Sequence, residues 1–207
     1  MSLLDDEALW SSSVVANCAM NRERGLASYR RELGVSLPPA SGVWVDLCCG
    51  SGKALAEAVR PGLAVVGVDL VDHHVPARDG LSFVVAPVDQ WAPAGPVDLV
   101  TCVHGLHYLG DKLGLLTRVV SWLAPGGRFV ANFDVLSVRR ADGSPFGRAL
   151  TKALRDNGFT HDNRRRLVGY EGSGVPRLPF VYLGADDRAG PNYTGQPAVH
   201  SCYEVLS

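Results

Sequence analysis

The sequence predicts an α/β domain with a doubly wound, mostly parallel sheet of seven strands. From residue 40 onward, short apolar runs alternate with stretches of helical length. The first apolar run leads into a glycine turn that is followed at once by a helix-compatible stretch. A strand, a glycine turn and a helix in this order are typical of an open α/β sheet that binds a nucleotide-like ligand. The chain has 207 residues, which is enough for one such domain with its own core.

The individual elements follow from the positions of apolar runs and of helix-breaking residues. Residues 1–37 are predicted to be helical and to end at Pro38-Pro39, because proline cannot continue a helix. Helices are predicted near residues 51–60, 112–123 and 145–157, the last ending at Gly158. Strands are predicted near residues 43–47, 64–69, 82–86, 97–103, 128–134, 165–171 and 178–184. Residues 184–197 are rich in Gly, Pro, Asn and Asp and predict a long loop.

The composition is that of an ordinary globular protein, with 46% hydrophobic and 20% charged residues. The net charge of −1 gives no indication of nucleic-acid binding, and the short basic run Arg164–Arg166 is interpreted as a solvated loop end. The five cysteines form neither a disulfide framework nor a metal-binding pattern, which suits reduced thiols. No apolar run has the length of a signal peptide or a membrane span. We therefore expect a cytoplasmic protein.

The glycine turn discriminates between two kinds of ligand. Asp46 ends the first strand, and Gly50-Ser51-Gly52 follows four residues later. A dinucleotide fingerprint that began at Gly50 would require glycine or alanine where Leu55 stands. The carboxylate of Asp46 would repel a pyrophosphate, whereas it would attract a ligand with an ammonium group. The turn therefore favours an amino-acid-bearing nucleoside over a dinucleotide.

At this point the chain resembles the class I S-adenosylmethionine-dependent methyltransferases, because Val45–Gly52 is similar to their first motif. Three further motifs follow in the expected order across residues 40–135, and these are Val68-Asp69-Leu70, Val97–Val103 and Leu123–Gly127. The resemblance implies a Rossmann-like methyltransferase fold, an antiparallel final strand and S-adenosyl-L-methionine as the cofactor. It also implies a single domain over residues 1–207, in which residues 1–40 form a helical cover and residues 41–207 form the cofactor-binding core.

The resemblance also assigns the cofactor-binding residues. In the family, the residue equivalent to Asp46 lies near the amino group of the methionine moiety, and an acidic residue such as Asp69 can accept hydrogen bonds from both ribose hydroxyls. Pro87 departs from the family pattern, so adenine would be held near Val88, by Asp89 or by Trp91. Asp89 could equally cap a helix or a turn. The full predicted set is Asp46, Cys48, Gly50, Ser51, Gly52, Asp69, Leu70, Val88, Asp89, Val103 and His104.

His104 is the first candidate for a catalytic residue, because it follows Val103 at the carboxyl end of the fourth strand. An imidazole that titrates near neutrality suits a general base. Equally, His104 could cap the next helix or contact the cofactor through its backbone. His107 lies three residues later, on the same face of a helical turn, and adjoins Tyr108. Relatives often have histidines at this position without a catalytic role.

The N-terminal segment supplies the third catalytic candidate, Tyr29. Small-molecule methyltransferases of the family use an N-terminal helical cover, and Tyr29 or Arg22 could orient a carboxylate or a phenolate. The polar cluster there comprises Asn21, Arg22, Arg24, Tyr29 and Arg30. The alternative is a solvated helix face. No metal is expected, because His73-His74 have no third ligand nearby in the sequence.

The sequence predicts direct in-line methyl transfer to a small molecule, with His104 as a general base, in a context such as bacterial secondary metabolism. The small-molecule acceptor is inferred from the compact chain and the absence of a basic surface signal. Two alternatives remain open at this point: a protein or RNA acceptor, with Arg139-Arg140 and Arg164–Arg166 converging in space, and a protein that binds the cofactor without catalysis. No membrane partner is expected, and the choice between monomer and homodimer is left open.

Overall fold

The structure is a computed structural model, and it describes residues 3–16 and 24–206. Seven strands form the main sheet, and they are β1 (Gly42–Leu47), β2 (Leu63–Asp69), β3 (Leu81–Val85), β4 (Val97–Cys102), β5 (Leu123–Asn132), β7 (Thr160–Asp162) and β8 (Leu167–Glu171). A smaller sheet contains β6 (Val138–Arg140), β9 (Phe180–Asp186) and β10 (His200–Val205). Within the described ranges, no helix is both long enough and apolar enough to span a bilayer.

The main sheet has the order β3-β2-β1-β4-β5-β8-β7. The pairs β1–β2, β1–β4, β2–β3 and β4–β5 are parallel, whereas β8 is antiparallel to both neighbours. The chain proceeds outward from β1 to β3 and then crosses back to place β4 on the other side of β1. This reversal opens a crevice at the carboxyl ends of β1 and β4. The predicted seven-stranded, mostly parallel sheet is confirmed.

The smaller sheet corrects one predicted strand. We expected residues 178–184 to complete the main sheet, but β9 pairs with β10 in the smaller sheet. The edge position of the main sheet is taken by the three-residue strand β7, which forms a short hairpin with β8. A strand of three residues gives almost no periodic signal, and β9 forms a long antiparallel pairing with the last strand instead.

The helices are α1 (Asp6–Trp10), α2 (Leu26–Leu33), α3 (Lys53–Ala58), α4 (Lys112–Trp122) and α5 (Arg148–Asp156). The last three confirm the predicted helices with shorter bounds. The first two lie within the segment that was expected to be helical over residues 1–37, of which the structure describes residues 3–16 and 24–37. Asp5 caps α1 by accepting a hydrogen bond from the backbone N–H of Ala8 at 2.9 Å, and Gly34 in the left-handed conformation ends α2.

The core lies on both faces of the main sheet. One face packs against α2 and α3 through fully buried side chains that include Leu33, Trp44 and Leu55. The other face packs against α4 and α5 through Leu116, Phe129 and Leu150. Each large apolar side chain that is fully buried stabilises the fold by roughly 1.5–3 kcal/mol. The two layers therefore hold the carboxyl ends of β1, β2 and β4 in fixed positions.

Candidate functional site

Two clefts lie side by side at the carboxyl ends of the parallel strands, and Cys48 and Tyr108 line both of them. The histidine cleft, with about 590 Å³ of space, is lined by Arg24, Tyr29, Cys48, Cys49, Gly50, Val103, His104, Gly105, Tyr108, Thr194 and Gln196. The aspartate cleft, with about 570 Å³, is lined by Leu9, Trp10, Val15, Cys48, Asp69, Leu70, Pro87, Val88, Asp89, Tyr108, Leu109 and Gly110.

The glycine turn after β1 brings backbone, rather than side chains, to the wall of the clefts. Cys48 has a positive φ of 55°, and Gly52 has a φ of 72°. A Cβ atom at Gly52 would lie 2.3 Å from the ring of Phe83, so glycine is required there by packing. Cys48 and Gly50 line the clefts, whereas Ser51 and Gly52 lie behind them. The predicted cofactor set therefore divides into residues at the cleft surface and residues that shape the turn.

Asp46 lies at the end of β1, wholly buried, and does not line either cleft. The hydroxyl of Tyr29 donates a hydrogen bond to its Oδ2 at 2.8 Å, and the hydroxyl of Thr101 donates to its Oδ1. The indole N–H of Trp44 in turn donates to Thr101 Oγ1 at 2.8 Å. Burial raises the pKa of Asp46 to about 7, although both hydroxyls act in the opposite direction. Tyr29, which lines the histidine cleft, separates this carboxylate from the ligand space.

Asp69 ends β2 and lines the aspartate cleft together with Leu70. Its Oδ2 accepts a hydrogen bond from the backbone N–H of Gly50 at 2.8 Å, and its Oδ1 accepts one from Val71 at 3.2 Å. Burial raises the pKa of this carboxyl group, and the backbone hydrogen bonds oppose that rise. Each oxygen of a carboxylate can accept a second hydrogen bond, so Asp69 can still bind a ligand hydroxyl.

The far end of the aspartate cleft is formed by Pro87, Val88 and Asp89, which follow β3. Asp89 Oδ1 is buried without a hydrogen-bond partner. Burial raises the pKa of Asp89, while a backbone hydrogen bond, the nearby Arg118 guanidinium and a hydrogen bond from Trp10 lower it. An unpaired buried acceptor costs free energy, which a ligand with a suitably placed N–H would recover. Asp89 is therefore the side-chain hydrogen-bond acceptor at the end of the cleft where Pro87 cannot provide one.

His104 follows β4 and lines the histidine cleft with Val103 and Gly105. Its backbone has a φ of 60°, and its N–H donates to the side chain of Asn132 at 3.2 Å. The ring lies between Glu32 of α2, at 3.5 Å from Nε2, and the hydroxyl of Tyr193, at 3.4 Å from Nδ1. A carboxylate at one nitrogen fixes the orientation of the ring, and an oriented imidazole suits acid–base chemistry.

His107 does not line either cleft. Its side chain is buried, with 1% exposed, and lies beneath His104 with the ring centroids 5.7 Å apart. Burial and the neighbouring charge of His104 lower the pKa of His107 to about 3. The imidazole is therefore neutral at physiological pH and a weak base, and it does not face the ligand space that His104 faces.

Of the N-terminal polar cluster, Arg24 and Tyr29 line the histidine cleft. Arg30 points elsewhere, because its Nε donates to the backbone oxygen of Leu37 at 2.6 Å. Asn21 and Arg22 lie outside the described residues. In α1, Trp10 lines the aspartate cleft. Residues of both N-terminal helices thus contribute walls to the two clefts.

Several site residues have no signal in the sequence. Thr194 and Gln196 line the histidine cleft from the segment predicted as a long loop. Thr101, on β4, pairs with Asp46 only because β1 and β4 are neighbours with these two residues in register. Gly105 permits the close approach of two turns, since a Cβ there would lie 2.4 Å from Cys48 Cβ. All of these contacts depend on the tertiary fold.

Among the residues that the structure describes, no group of three or more His, Cys, Asp or Glu side chains could hold a metal ion. His74 instead stacks on Phe83 with the ring centroids 4.5 Å apart and has Asp72 at 3.5 Å. This stacking is a sufficient structural role for His74.

Comparison with known proteins gives the family. The model of a methyltransferase-domain family, Methyltransf_23, matches residues 19–132, just over half of the chain. The chain therefore belongs to this methyltransferase family, and the resemblance seen in the sequence is confirmed. The matched region extends from the N-terminal segment to the end of β5, so it contains most of the walls of both clefts.

Curated relatives agree with this assignment. The chain is 38% identical over 89 residues to a trans-aconitate 2-methyltransferase of Azoarcus sp., which covers 40% of this chain and 35% of the relative. It is 29% identical over 119 residues to a ubiquinone biosynthesis O-methyltransferase of Psychrobacter cryohalolentis, and this alignment covers 52% of this chain and 46% of the relative. These alignments span about a third to a half of the relatives' length.

One solved structure is similar over almost its whole length. The N-methyltransferase NodS from Bradyrhizobium japonicum, in complex with S-adenosyl-L-homocysteine, superposes with a TM-score of 0.50 and 15% identity. The superposition covers 82% of this chain and 98% of NodS. At this level of identity the similarity supports the fold.

Proposed function

We propose that the protein is an S-adenosylmethionine-dependent methyltransferase that acts on a small molecule. The observation that carries this proposal is the pair of adjoining clefts, which share Cys48 and Tyr108 and have a carboxylate of Asp69 or Asp89 on one side and the Tyr29–Asp46 pair on the other. An elongated ligand with a nucleoside at one end and an ammonium group at the other matches this distribution. Family membership supports the same cofactor.

In this proposal the aspartate cleft holds the adenosine half of the cofactor. Asp69, fixed by the Gly50 and Val71 backbone N–H groups, accepts hydrogen bonds from the ribose hydroxyls. The unpartnered Oδ1 of Asp89 accepts a hydrogen bond from the adenine amino group. Leu70 and Val88 supply apolar contacts to the base. This arrangement accounts for the lack of an acidic side chain at Pro87.

The histidine cleft holds the methionine half, and the ammonium group is recognised through Tyr29. The Tyr29 hydroxyl donates its proton to Asp46, so its oxygen lone pairs remain available to accept a hydrogen bond. The negative charge of Asp46 polarises that hydroxyl. Asp46 is therefore a positioning residue that acts through Tyr29. Gly50 and Cys48 present backbone to the chain of the amino acid.

The bound cofactor supplies an electrophilic methyl group on a sulfonium. Residues of this chain align the acceptor and exclude water, which is the main requirement for an in-line substitution. His104 lies on the histidine cleft and, oriented by Glu32, removes the proton of an acidic nucleophile. His107, neutral and buried beneath it, packs against the ring of His104 and supports its position.

Calorimetry with S-adenosylmethionine and with NAD tests the cofactor. We expect binding of S-adenosylmethionine with one site per chain, and Asp69→Asn to weaken it by about tenfold or more, because charge-assisted hydrogen bonds contribute about 1.5–3 kcal/mol. Asp72→Asn is the matched control, since this substitution also removes one negative charge but does so at a side chain that is 82% exposed. Binding of NAD alone would refute the proposal.

Methyl transfer to candidate acceptors is measured next, with His104→Gln as the test variant. Loss of transfer with intact cofactor binding supports His104 as the base, because general bases typically contribute about 10²–10⁴-fold in rate. Cofactor binding without transfer to any small molecule, protein or RNA would instead support a non-catalytic binding protein.

A further inference from the structure

A third space, here called the arginine pocket, lies on the other side of His107 and Tyr193 from the histidine cleft. It is formed where the end of β5, the start of β10 and the segment after β9 meet β6. Its polar lining residues are His107, Asp134, Ser137, Arg139, Arg166, Asn192, Tyr193 and His200. None of them belongs to the cofactor clefts, so this pocket needs a separate explanation.

Three buried nitrogen atoms of the arginine pocket have no hydrogen-bond partner, and they are His107 Nε2, Arg139 Nε and Asn192 Nδ2. His107 is 1% exposed, so its unpaired nitrogen is well removed from bulk water. Buried polar groups are almost always paired, and each unpaired group costs about 1–3 kcal/mol. Three such nitrogens belong to residues that line one pocket, so these residues have hydrogen-bonding capacity that the protein itself does not use.

The charge of the pocket selects the kind of ligand. Arg139 and Arg166 contribute two positive charges, and Asp134 contributes one negative charge, which leaves one positive charge. The two histidines add little, because burial lowers the pKa of both His107 and His200. A single carboxylate would neutralise this surplus, whereas a phosphate dianion would exceed it. The planar donors of arginine also match a carboxylate geometrically.

The pocket adjoins the proposed reaction site. Tyr193 lines it, and the Tyr193 hydroxyl lies 3.4 Å from Nδ1 of His104. The guanidinium of Arg166 lies over the ring of Tyr193 at 3.8 Å, so the aromatic ring is held between the cation and the two histidines. The Tyr193 side chain therefore connects the arginine pocket to His104.

We propose that the arginine pocket binds a carboxylate group of the methyl acceptor, with Arg139, Arg166 and Asn192 as its donors. This inference rests on the proposed methyltransferase function only in identifying the ligand as the acceptor. The pocket makes the protein selective for acidic small molecules and orients them toward His104. Arg139 and Arg166 are thus specificity-determining residues.

The test is an NMR titration of the full-length protein labelled with ¹⁵N-arginine, using benzoate and its neutral analogue benzamide as probes. We expect benzoate to shift the Nε–H signals of Arg139 and Arg166 and not that of Arg164, with a dissociation constant at least tenfold lower than that of benzamide. Arg139→Gln and Asn192→Ala should each raise the dissociation constant of benzoate about tenfold, because each variant removes a hydrogen-bond donor to a charged group.

Arg164→Gln is the matched control, since it removes one charge from an exposed side chain two residues from Arg166 and should change benzoate binding less than twofold. Equal binding of benzoate and benzamide, tighter binding of inorganic phosphate than of benzoate, or variants without effect would overturn the proposal. Titration with S-adenosylhomocysteine is recorded separately. Its failure to bind would count against the methyltransferase function, while the benzoate result would still decide whether the pocket binds carboxylates.

Discussion

Two buried hydroxyl groups, those of Tyr29 and Thr101, donate hydrogen bonds to Asp46. Comparing them separates a role of Tyr29 in ligand binding from a purely structural hydrogen bond. Tyr29 and Thr101 each donate one hydrogen bond to this carboxylate, but only Tyr29 lines the histidine cleft. Tyr29→Phe and Thr101→Val each delete one hydroxyl group with little change of shape. If Asp46 acts through Tyr29, the first variant should lose cofactor affinity and the second should mainly lose stability.

The size of the two effects follows from these contacts. A hydrogen bond to a charged group contributes about 1.5–3 kcal/mol, so Tyr29→Phe should weaken S-adenosylhomocysteine by about 10-fold to 100-fold. Thr101→Val also leaves the indole N–H of Trp44 without its acceptor, and an unpaired buried donor costs a further 1–3 kcal/mol or so. We therefore expect Thr101→Val to lower the free energy of unfolding more than Tyr29→Phe does. If Tyr29 alone contacts the ligand, Thr101→Val should change the affinity for S-adenosylhomocysteine by less than about fivefold.

Calorimetry of S-adenosylhomocysteine binding and urea denaturation, both at pH 8, measure the two quantities independently. The reasoning would be refuted if Thr101→Val weakened the ligand as much as Tyr29→Phe did. It would also be refuted if Tyr29→Phe bound the ligand as tightly as the wild type.

Three further predictions concern the turns and the buried charges. Since burial raises the pKa of Asp46 from 3.8 to about 7, the folded protein keeps a proton that the unfolded chain releases, and this stabilisation is complete below about pH 4 and lost as the pH rises through 7. Asp46→Asn should therefore have a higher free energy of unfolding than the wild type at pH 8.5, by a few kcal/mol at most, and no such gain at pH 4, as measured by urea denaturation. Equal differences at both pH values would contradict the raised pKa of Asp46. Gly105→Ala should lower the free energy of unfolding by about 1–3 kcal/mol, because the added Cβ would lie 2.4 Å from Cys48 Cβ. Gly95→Ala is the control and should be neutral, since a Cβ there would have nothing within 4 Å. Thermal melts compare the two variants, and equal melting temperatures would be evidence against the close approach at Gly105. Lys112 is fully buried and donates hydrogen bonds to two backbone oxygens and to a serine hydroxyl. Lys112→Met should therefore destabilise the protein by about 3 kcal/mol or more, as measured by chemical denaturation. An unchanged denaturation midpoint would show that these hydrogen bonds do not stabilise the fold.

The sequence was sufficient for the elements that repeat a strong local pattern. The apolar runs of β1, β2 and β4 predict the strands, and the glycine turn after Asp46 predicts the ligand side of the sheet. Asp69 and Val88 were expected at the site from the resemblance to the methyltransferase family, and the structure places both on the aspartate cleft. Local sequence thus determines which edge of the sheet carries the site.

The contacts between distant segments were not predictable from the sequence. Tyr29 was named as a catalytic candidate, but its hydrogen bond to Asp46 depends on how α2 packs over β1. The assignment of β9 to a second sheet depends on its pairing with β10, which no local pattern specifies. The arginine pocket likewise brings together Arg139 of β6 and Arg166 from the turn between β7 and β8. Convergence of these two basic runs was a possibility from the sequence, but their geometry depends on the tertiary fold.

The most direct test is a crystal structure of the protein with S-adenosylhomocysteine. The proposal predicts one continuous ligand across both clefts, with adenine beside Asp89, ribose on Asp69, the sulfur near Cys48 and Tyr108, and the amino group within hydrogen-bond distance of the Tyr29 hydroxyl. A ligand bound outside these clefts, or bound with adenine in the histidine cleft, would contradict it.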